Sequence, residues 1–495
     1  MSGTVSPVIA FNEIPYVWEV PGTYTEVIPN YQNVGVLPWP SRALIIGQKL
    51  AAGTAVAATP YPVTRPQDAT ALFGAGSQAE AMAIAWLAAN QNGTPLEVMG
   101  LADNGTSKAA GTFTVAGTFT QAGTLAIEVG STRYYVPSAI TDTPTTIATA
   151  LAGQINADPQ TCVVATTAAG VLTVTAKNAG AEGNNINLAV SPAFGDVLPA
   201  GMTIAVAAIS GGAANPSIAA ALAAISGIWY TSICMSWQDS PNIALLSAEL
   251  TRRQNAMVRQ DALGFVWFTG TLSQQLAAAA NADMRFIYAP GLTNPRSLPW
   301  VLAASLQGVA ERELTNDPAR QLRGLVLPGL LGSRPADRRI PSEEQQMLVG
   351  GVSTVRTSRD GSVTIQKLVS TYTVNGQGVL DPAYHEIHDA AVAFRIRYDW
   401  RTYFDLTYPR AKLTDDGSIA AEADPNAVTP NRLKASWAFR LRIYETNGWV
   451  ENSQATARRA VFARDPNSRN RVNATQPYQR IGNMMVLAGQ LQFQV

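Results

Sequence analysis

The chain holds only two histidines, His385 and His388, so any chemistry that needs an imidazole must use one of them. They lie three residues apart in DPAYHEIHDA, which reads as a helix starting at Asp381. That spacing puts both rings on one helix face, a geometry that suits a metal ion. Glu386 and Asp389 stand nearby, but no recognisable motif supplies a third ligand, and a histidine pair on a solvated or interface helix is the simpler reading. Gly74-Ala75-Gly76 opens a G-x-G-x-x-A stretch of the kind that cradles a dinucleotide phosphate. No clear strand precedes it and no ribose-binding acid follows at the right distance, so a helix start accounts for it. The sequence has no G-x-S-x-G elbow, Walker loop or H-E-x-x-H pair. No catalytic constellation, metal or cofactor is expected.

The elements around these residues form a pattern of their own. RALIIG (42–47) and Leu96 to Leu101 are short continuous apolar runs, as expected of strands buried on both faces. Between them Ser77 and Glu80 make a capping box for a helix, with Ala81, Ile84, Ala85 and Ala88 as its apolar face. The alternation resumes later: a strand at Ile228 to Met235, a helix at Ile243 to Met257, strands at Gly264 to Phe268 and Met284 to Ala289 around another helix, then a helix from Trp300 to Leu314. Strands alternating with helices predict a doubly wound parallel sheet. From Ala102 to about Ala214 the composition changes to Thr, Ala, Gly and Val with few charges, in short alternating strands. One helix interrupts them, with Thr143 as N-cap, Pro144 at N1, and Ile147, Leu151 and Ile155 on one face. Further on, Val363 to Val374 is strand-like, and Pro382 to Trp400 and Arg432 to Tyr444 are helical. The fold class is multidomain α+β: an N-terminal arm (1–40), a central α/β domain (41–101 and 215–339), an inserted β-rich peripheral domain (102–214), a C-terminal α+β domain (340–474) and a C-terminal arm (475–495).

Both arms are extended. Val20 to Val27 reads as a turn and then a short strand, Thr23, Tyr24, Thr25, Glu26 and Val27. At the other end Leu487, Leu491, Phe493 and Val495 point one way, and Gln490, Gln492 and Gln494 the other. Period-two alternation marks a half-buried strand whose backbone groups must pair with something. Either it docks as an edge of its own sheet, or it is donated to a neighbour's.

Charge narrows the partners. Lys+Arg and Asp+Glu both number 35, and near-zero net charge favours self-association. Residues 432–480 nevertheless hold ten basic and three acidic side chains, a surplus of seven positive charges that the rest of the chain balances. Arg458 and Arg459 lie in TARRAVFA, which reads as a helix, with Arg464 just beyond. No aromatic platform is interleaved with these arginines, so a nucleic-acid groove is not favoured. Cys162 and Cys234 sit in apolar runs without metal or redox spacing, as buried free thiols of a reducing compartment do. No signal peptide and no membrane insertion are expected.

Several stretches together resemble a known family. PGTYTEVIPN, PSRALIIGQ and DATALFGAGSQAEAMAIAWLAAN resemble the start of the tail sheath proteins of Mu-like contractile-tailed bacteriophages. GTFTVAGTFT and AKNAGAEGNNINL are similar to that family's decorated middle, and VSTVRTSRDGSVTIQKLVSTYTVN with AYHEIHDAAVAFRIRYDWR to its C-terminal region. The resemblance implies a homo-oligomer of stacked rings or a helix around a tail tube protein, with baseplate and tail terminator proteins as further partners. It also implies a virion component assembled in the host cytoplasm, a subtilisin-like layout for the central domain without protease activity, and arms exchanged between neighbours. On that reading the C-terminal domain faces the tube, with Arg458, Arg459 and Arg464 as tube-contact candidates. The alternatives are an α/β hydrolase-like enzyme with an appended β module, and a tube or shell protein that does not contract.

Overall fold

The computed structural model describes residues 13–15, 17–26, 35–190 and 197–493. It is a multidomain α+β chain in two compact units, Trp39–Arg395 with Arg480–Val495, and Met1–Pro38 with Ile396–Gln479.

The larger unit is built on a six-stranded sheet in the order Ile287–Tyr288, Leu263–Phe265, Ser232–Met235, Ala43–Gln48, Leu96–Leu101, Pro60–Pro62. All neighbours run parallel except the last strand, which is antiparallel. Every residue of Ala43–Gln48 is buried, which is why that run carries no alternation. Helices Gln78–Asn90 and Pro299–Asn316 pack together beside this sheet. They approach so closely that a Cβ on Gly308 would sit 2.9 Å from the Trp86 carbonyl oxygen. The capping of the first helix is half as expected: Ser77 Oγ accepts from the Glu80 backbone N–H, but the Glu80 carboxylate turns to the Gly76 N–H and Thr70 hydroxyl. Its buried face is also different. Met82, Ala83 and Trp86 are inside, while Ala81, Ile84 and Ala85 are half-buried and Ala88 is exposed. QAEAMAIAWLAAN is apolar nearly all round, so its periodicity cannot select a side; the neighbouring helix does.

The segment expected to be an insert forms two antiparallel sheets. One has the order Thr203–Ser210, Ala110–Ala116, Val171–Ala176, Val163–Ala168, and the other Thr132–Ser138, Gly123–Val129, Leu188–Val190. Helix Pro144–Ala157 starts on the Thr143 capping box and buries Ile147, Leu151 and Ile155. A fully buried carboxylate joins this region to the rest of the unit. Glu128 accepts from Arg296 through Nε at 2.8 Å and through Nη2, and from Arg334 Nη2 at 3.3 Å. Removing one member of such a cluster strands a buried charge, which costs about 3–5 kcal/mol. Glu128→Gln should therefore make residues 102–214 the first region cut in limited proteolysis, with the Ala43–Gln48 sheet still protected from hydrogen exchange.

The same unit contains a three-stranded sheet with Ser362–Lys367 between Val326–Leu331 and Thr354–Thr357. The smaller unit holds helices Pro430–Thr446 and Ser453–Arg458 and a two-stranded ribbon of Val461–Arg464 with Val472–Thr475. Helix Ile387–Thr407 begins six residues later than the sequence suggested. Pro382 and the turn after it delay the start, so His385 lies ahead of the helix, and the two rings do not share a helix face.

Candidate assembly interface

His388 is buried, its Nδ1–H donating to the Pro318 carbonyl at 3.1 Å, and burial pulls both imidazoles below their usual pKa. Among the described residues no three His, Cys, Asp or Glu side chains gather as a metal site. Cys162 and Cys234 are free thiols that burial pushes up. Gly74 and Gly76 follow a helix, not a strand, and both have positive φ at the tight entry to the next helix.

What the fold leaves open is at its ends. The C-terminal segment is fastened as far as Met485. Arg480 Nε binds Asp389 at 2.6 Å and its Nη2 binds Glu386 at 3.3 Å, while Arg323 Nη1 donates to the Met485 carbonyl at 2.9 Å. Beyond that point residues 486–493 lie outside any strand and pair with none among the described residues. Val486 and Leu487 are exposed, Phe493 is 86% exposed and Leu491 fully so. Gln490 and Gln492 are exposed as well, and Gln494 and Val495 lie outside the described residues. At the other end Thr23, Tyr24 and Thr25 are exposed and outside any strand, Glu26 is half-buried, and Val27 falls outside the described residues. Trp18 stacks edge-on against Tyr24, a contact within the segment itself.

The root of the N-terminal segment is held by a site that charge patterning did not reveal. Asp399 is fully buried and accepts from Leu37 N–H at 2.9 Å, from Arg440 Nε at 3.0 Å and Nη2, and from Tyr444 O–H at 2.6 Å. Arg440 Nη2 also donates to the Gly35 carbonyl at 3.3 Å. Burial alone would lower the Arg440 pKa, but the Asp399 charge outweighs it and the guanidinium is held above its ordinary value.

The basic stretch divides by role. Arg440 and Arg480 are structural, Arg471 pairs with Asp465, and Arg464 Nη1 pairs with Asp415 at 2.9 Å. TARRAVFA is not one helix. Its helical part ends at Arg458, Arg459 is the C-cap, and Val461–Arg464 is a strand. The alternating burial of Val461–Arg464 and its pairing with Val472–Thr475 override the local helix preference. Arg458 and Arg459 are exposed. With Lys434 and Arg442, Arg458 lines an open groove between the two helices that has Glu445 as its one acidic side chain.

No family model matches the sequence. It is 29% identical over 494 residues to the Mu-like prophage FluMu tail sheath protein of Haemophilus influenzae, covering 98% of this chain and 99% of that one. Two solved assemblies share the fold. The sheath of the PVC extracellular contractile injection system in its contracted state superposes with a TM-score of 0.50 at 9% identity, over 97% of this chain and 98% of that one. The helical sheath of the anti-feeding prophage, also contracted, does so at 0.50 and 10% identity, over 96% and 99%. The fold is that of a contractile sheath subunit. Within it, residues 486–493 and the Arg458–Arg459 pair are exposed.

Proposed function

We propose that this chain is the sheath subunit of a contractile phage tail, polymerising around the tail tube and shortening to drive the tube through the host envelope. The full-length match to a Mu-like prophage tail sheath protein carries this reading. The work is mechanical: an extended lattice, assembled in a metastable form, relaxes to a shorter and wider one when the baseplate triggers it. The protein is then a structural component of the virion, made in the host cytoplasm, with a tube protein, a baseplate and a terminator as neighbours. Among the described residues no helix is long and apolar enough to cross a membrane. The five-part division of the chain belongs to this proposal, as does a subtilisin-like central domain; the mainly parallel six-stranded sheet supports the latter.

The two arms are the exchanged strands. Leu487, Gln490, Leu491, Gln492, Phe493, Gln494 and Val495 form one, and Thr23, Tyr24, Thr25, Glu26 and Val27 the other. The ribbon of Val461–Arg464 and Val472–Thr475 is the acceptor we favour, because two strands alone are marginal in water and no third strand pairs with it among the described residues. Contacts of this kind are heterologous and propagate as a filament. Electron microscopy of the purified protein tests the reading. Hollow tubes support it, and a stable monomer at every concentration sinks it.

Arg458 and Arg459 are the groups we assign to the tube, with Arg464 joining only if it leaves Asp415. Exposed ion pairs contribute about 0.2–1 kcal/mol each and are screened by salt, which suits a grip that must release. Arg458→Glu with Arg459→Glu should lower the yield of extended, tube-bound sheath about tenfold near physiological salt. Tube-free polymers should form as before. Unchanged yield of the extended form would remove the assignment.

A further inference from the structure

A second unoccupied feature lies in the larger unit, away from the arms. Helix Pro341–Val349 and the strands Thr354–Thr357 and Ser362–Lys367 wall a cleft of about 460 Å³. Its charged lining is Arg338, Arg339 and Arg356 against a single carboxylate, Glu344, whose Oε2 already accepts from Gln366 Nε2 at 2.9 Å. Arg338 is spent on the Ser333 and Ser358 carbonyls. Arg339 is different. Its Nη1 stands 3.7 Å from Glu343, beyond hydrogen-bond range, and its Nε and Nη2 have no acceptor at all. The hydroxyl of Thr354, a residue only 1% exposed on the same wall, is also without a partner.

The Nε–Nη2 edge of a guanidinium is the side that grips a carboxylate with two parallel hydrogen bonds. This chain uses that edge repeatedly: Arg296 on Glu128 and Arg252 on Glu249 take both carboxylate oxygens, and Arg440 turns both donors on one oxygen of Asp399. In Arg339 alone among these four it is empty.

We propose that this cleft receives an acidic side chain, an Asp or Glu carboxylate, from a second copy of the chain. The inference rests on the sheath reading above, which brings many copies together, and it adds a specific contact to it. Charge supports the choice of occupant: the cleft has an excess of guanidinium groups, and each copy exposes carboxylates such as Asp405 and Glu422 on its surface. Size supports it too, since the cleft holds one side chain with its neighbours and not a folded domain. Arg339 Nε and Nη2 are closed off from water, so the side chain turns outward as the carboxylate enters.

The test compares the full-length wild type with Arg339→Gln and Arg339→Lys, by thermal melting of the monomer and by electron microscopy of tubes over a concentration series. Both variants should melt like the wild type and need about tenfold more protein to form tubes. The lysine keeps the charge but lacks the two-pronged edge, so it should fail almost as badly as the glutamine. Tubes at the wild-type concentration from Arg339→Gln would overturn the proposal while leaving the sheath reading intact. So would a melting temperature that falls in step with tube formation, which would assign Arg339 to the fold through Glu343. A wild type that forms no tubes removes both readings. Glutarate serves as the free-carboxylate probe. If millimolar glutarate raises the melting temperature of the wild type but not of Arg339→Gln, while tube formation is the same in both, the site takes a free anion and the second-copy assignment is wrong.

Discussion

Deleting residues 486–495 is expected to leave the melting temperature of the monomer unchanged and to abolish polymerisation. The first half follows from exposure. Val486, Leu487, Leu491 and Phe493 are exposed, and residues 486–493 make no backbone hydrogen bonds with the described residues, so little buried surface goes with them. The cut belongs after Met485 because Arg480 and Arg323 hold the preceding residues, and removing those would confuse two effects. The second half follows from what the strand would gain elsewhere. Burying Leu491 and Phe493 is worth about 1.5–3 kcal/mol each, and every ladder hydrogen bond adds about 0.5–1.5 kcal/mol. At about 1.4 kcal/mol per decade, losing only the two side chains raises the concentration needed for assembly by at least a hundredfold. Leu491→Asp with Phe493→Asp should therefore reproduce most of the deletion. Sedimentation and negative-stain microscopy give the readout. Tubes from the deleted protein would mean that the segment is not a donated strand.

How far the sequence anticipated this molecule depended on whether the deciding interaction was local. Thr143 as N-cap and Pro144 at N1 are local, and the helix begins there. Ala43–Gln48 and Leu96–Leu101 are strands at nearly the expected bounds, because a run of apolar residues that short has few other uses. Five strands between Ala110 and Ala176 were legible from alternation, but Leu188–Val190 and Thr203–Ser210 were not. Where a partner decides, the reading failed. The Ala-rich helix Gln78–Asn90 buries Met82 and Trp86 because Pro299–Asn316 lies there, which no window of 13 residues can reveal. Val461–Arg464 is a strand because Val472–Thr475 pairs with it. Asp399 and Arg440 look like ordinary charges on two helices, and a separation of 41 positions hides that they meet. The ends were different again. The C-terminal alternation was visible in the sequence, and residues 486–493 nevertheless lie exposed and outside any strand, because a period-two pattern does not say which chain supplies the neighbouring strand.

That buried pair leads to the second large effect. Asp399→Asn keeps the volume but leaves one oxygen, which can accept from Leu37 N–H or from Tyr444 O–H and not from both, and it removes the negative charge set against the fully buried Arg440. Stranding a buried guanidinium costs about 3–5 kcal/mol. Chemical denaturation should show a loss of that size for the unit that contains Trp437, Tyr444 and Trp449, whose stacked and edge-on rings make tryptophan fluorescence a direct probe. Asp399→Asn combined with Arg440→Met removes both charges and should recover most of the loss, since a buried pair replaced by an apolar side chain is often neutral. The double variant also loses the Arg440 bond to the Gly35 carbonyl, so the two readouts part company. Stability returns, while protease cleavage near residues 35–38 stays raised, because the N-terminal segment has lost the Arg440 anchor at Gly35. A single variant that costs less than about 1 kcal/mol would show that the pair is a bystander. An N-terminal segment as protected in the double variant as in the wild type would show that the bond from Arg440 to the Gly35 carbonyl is not needed to hold it.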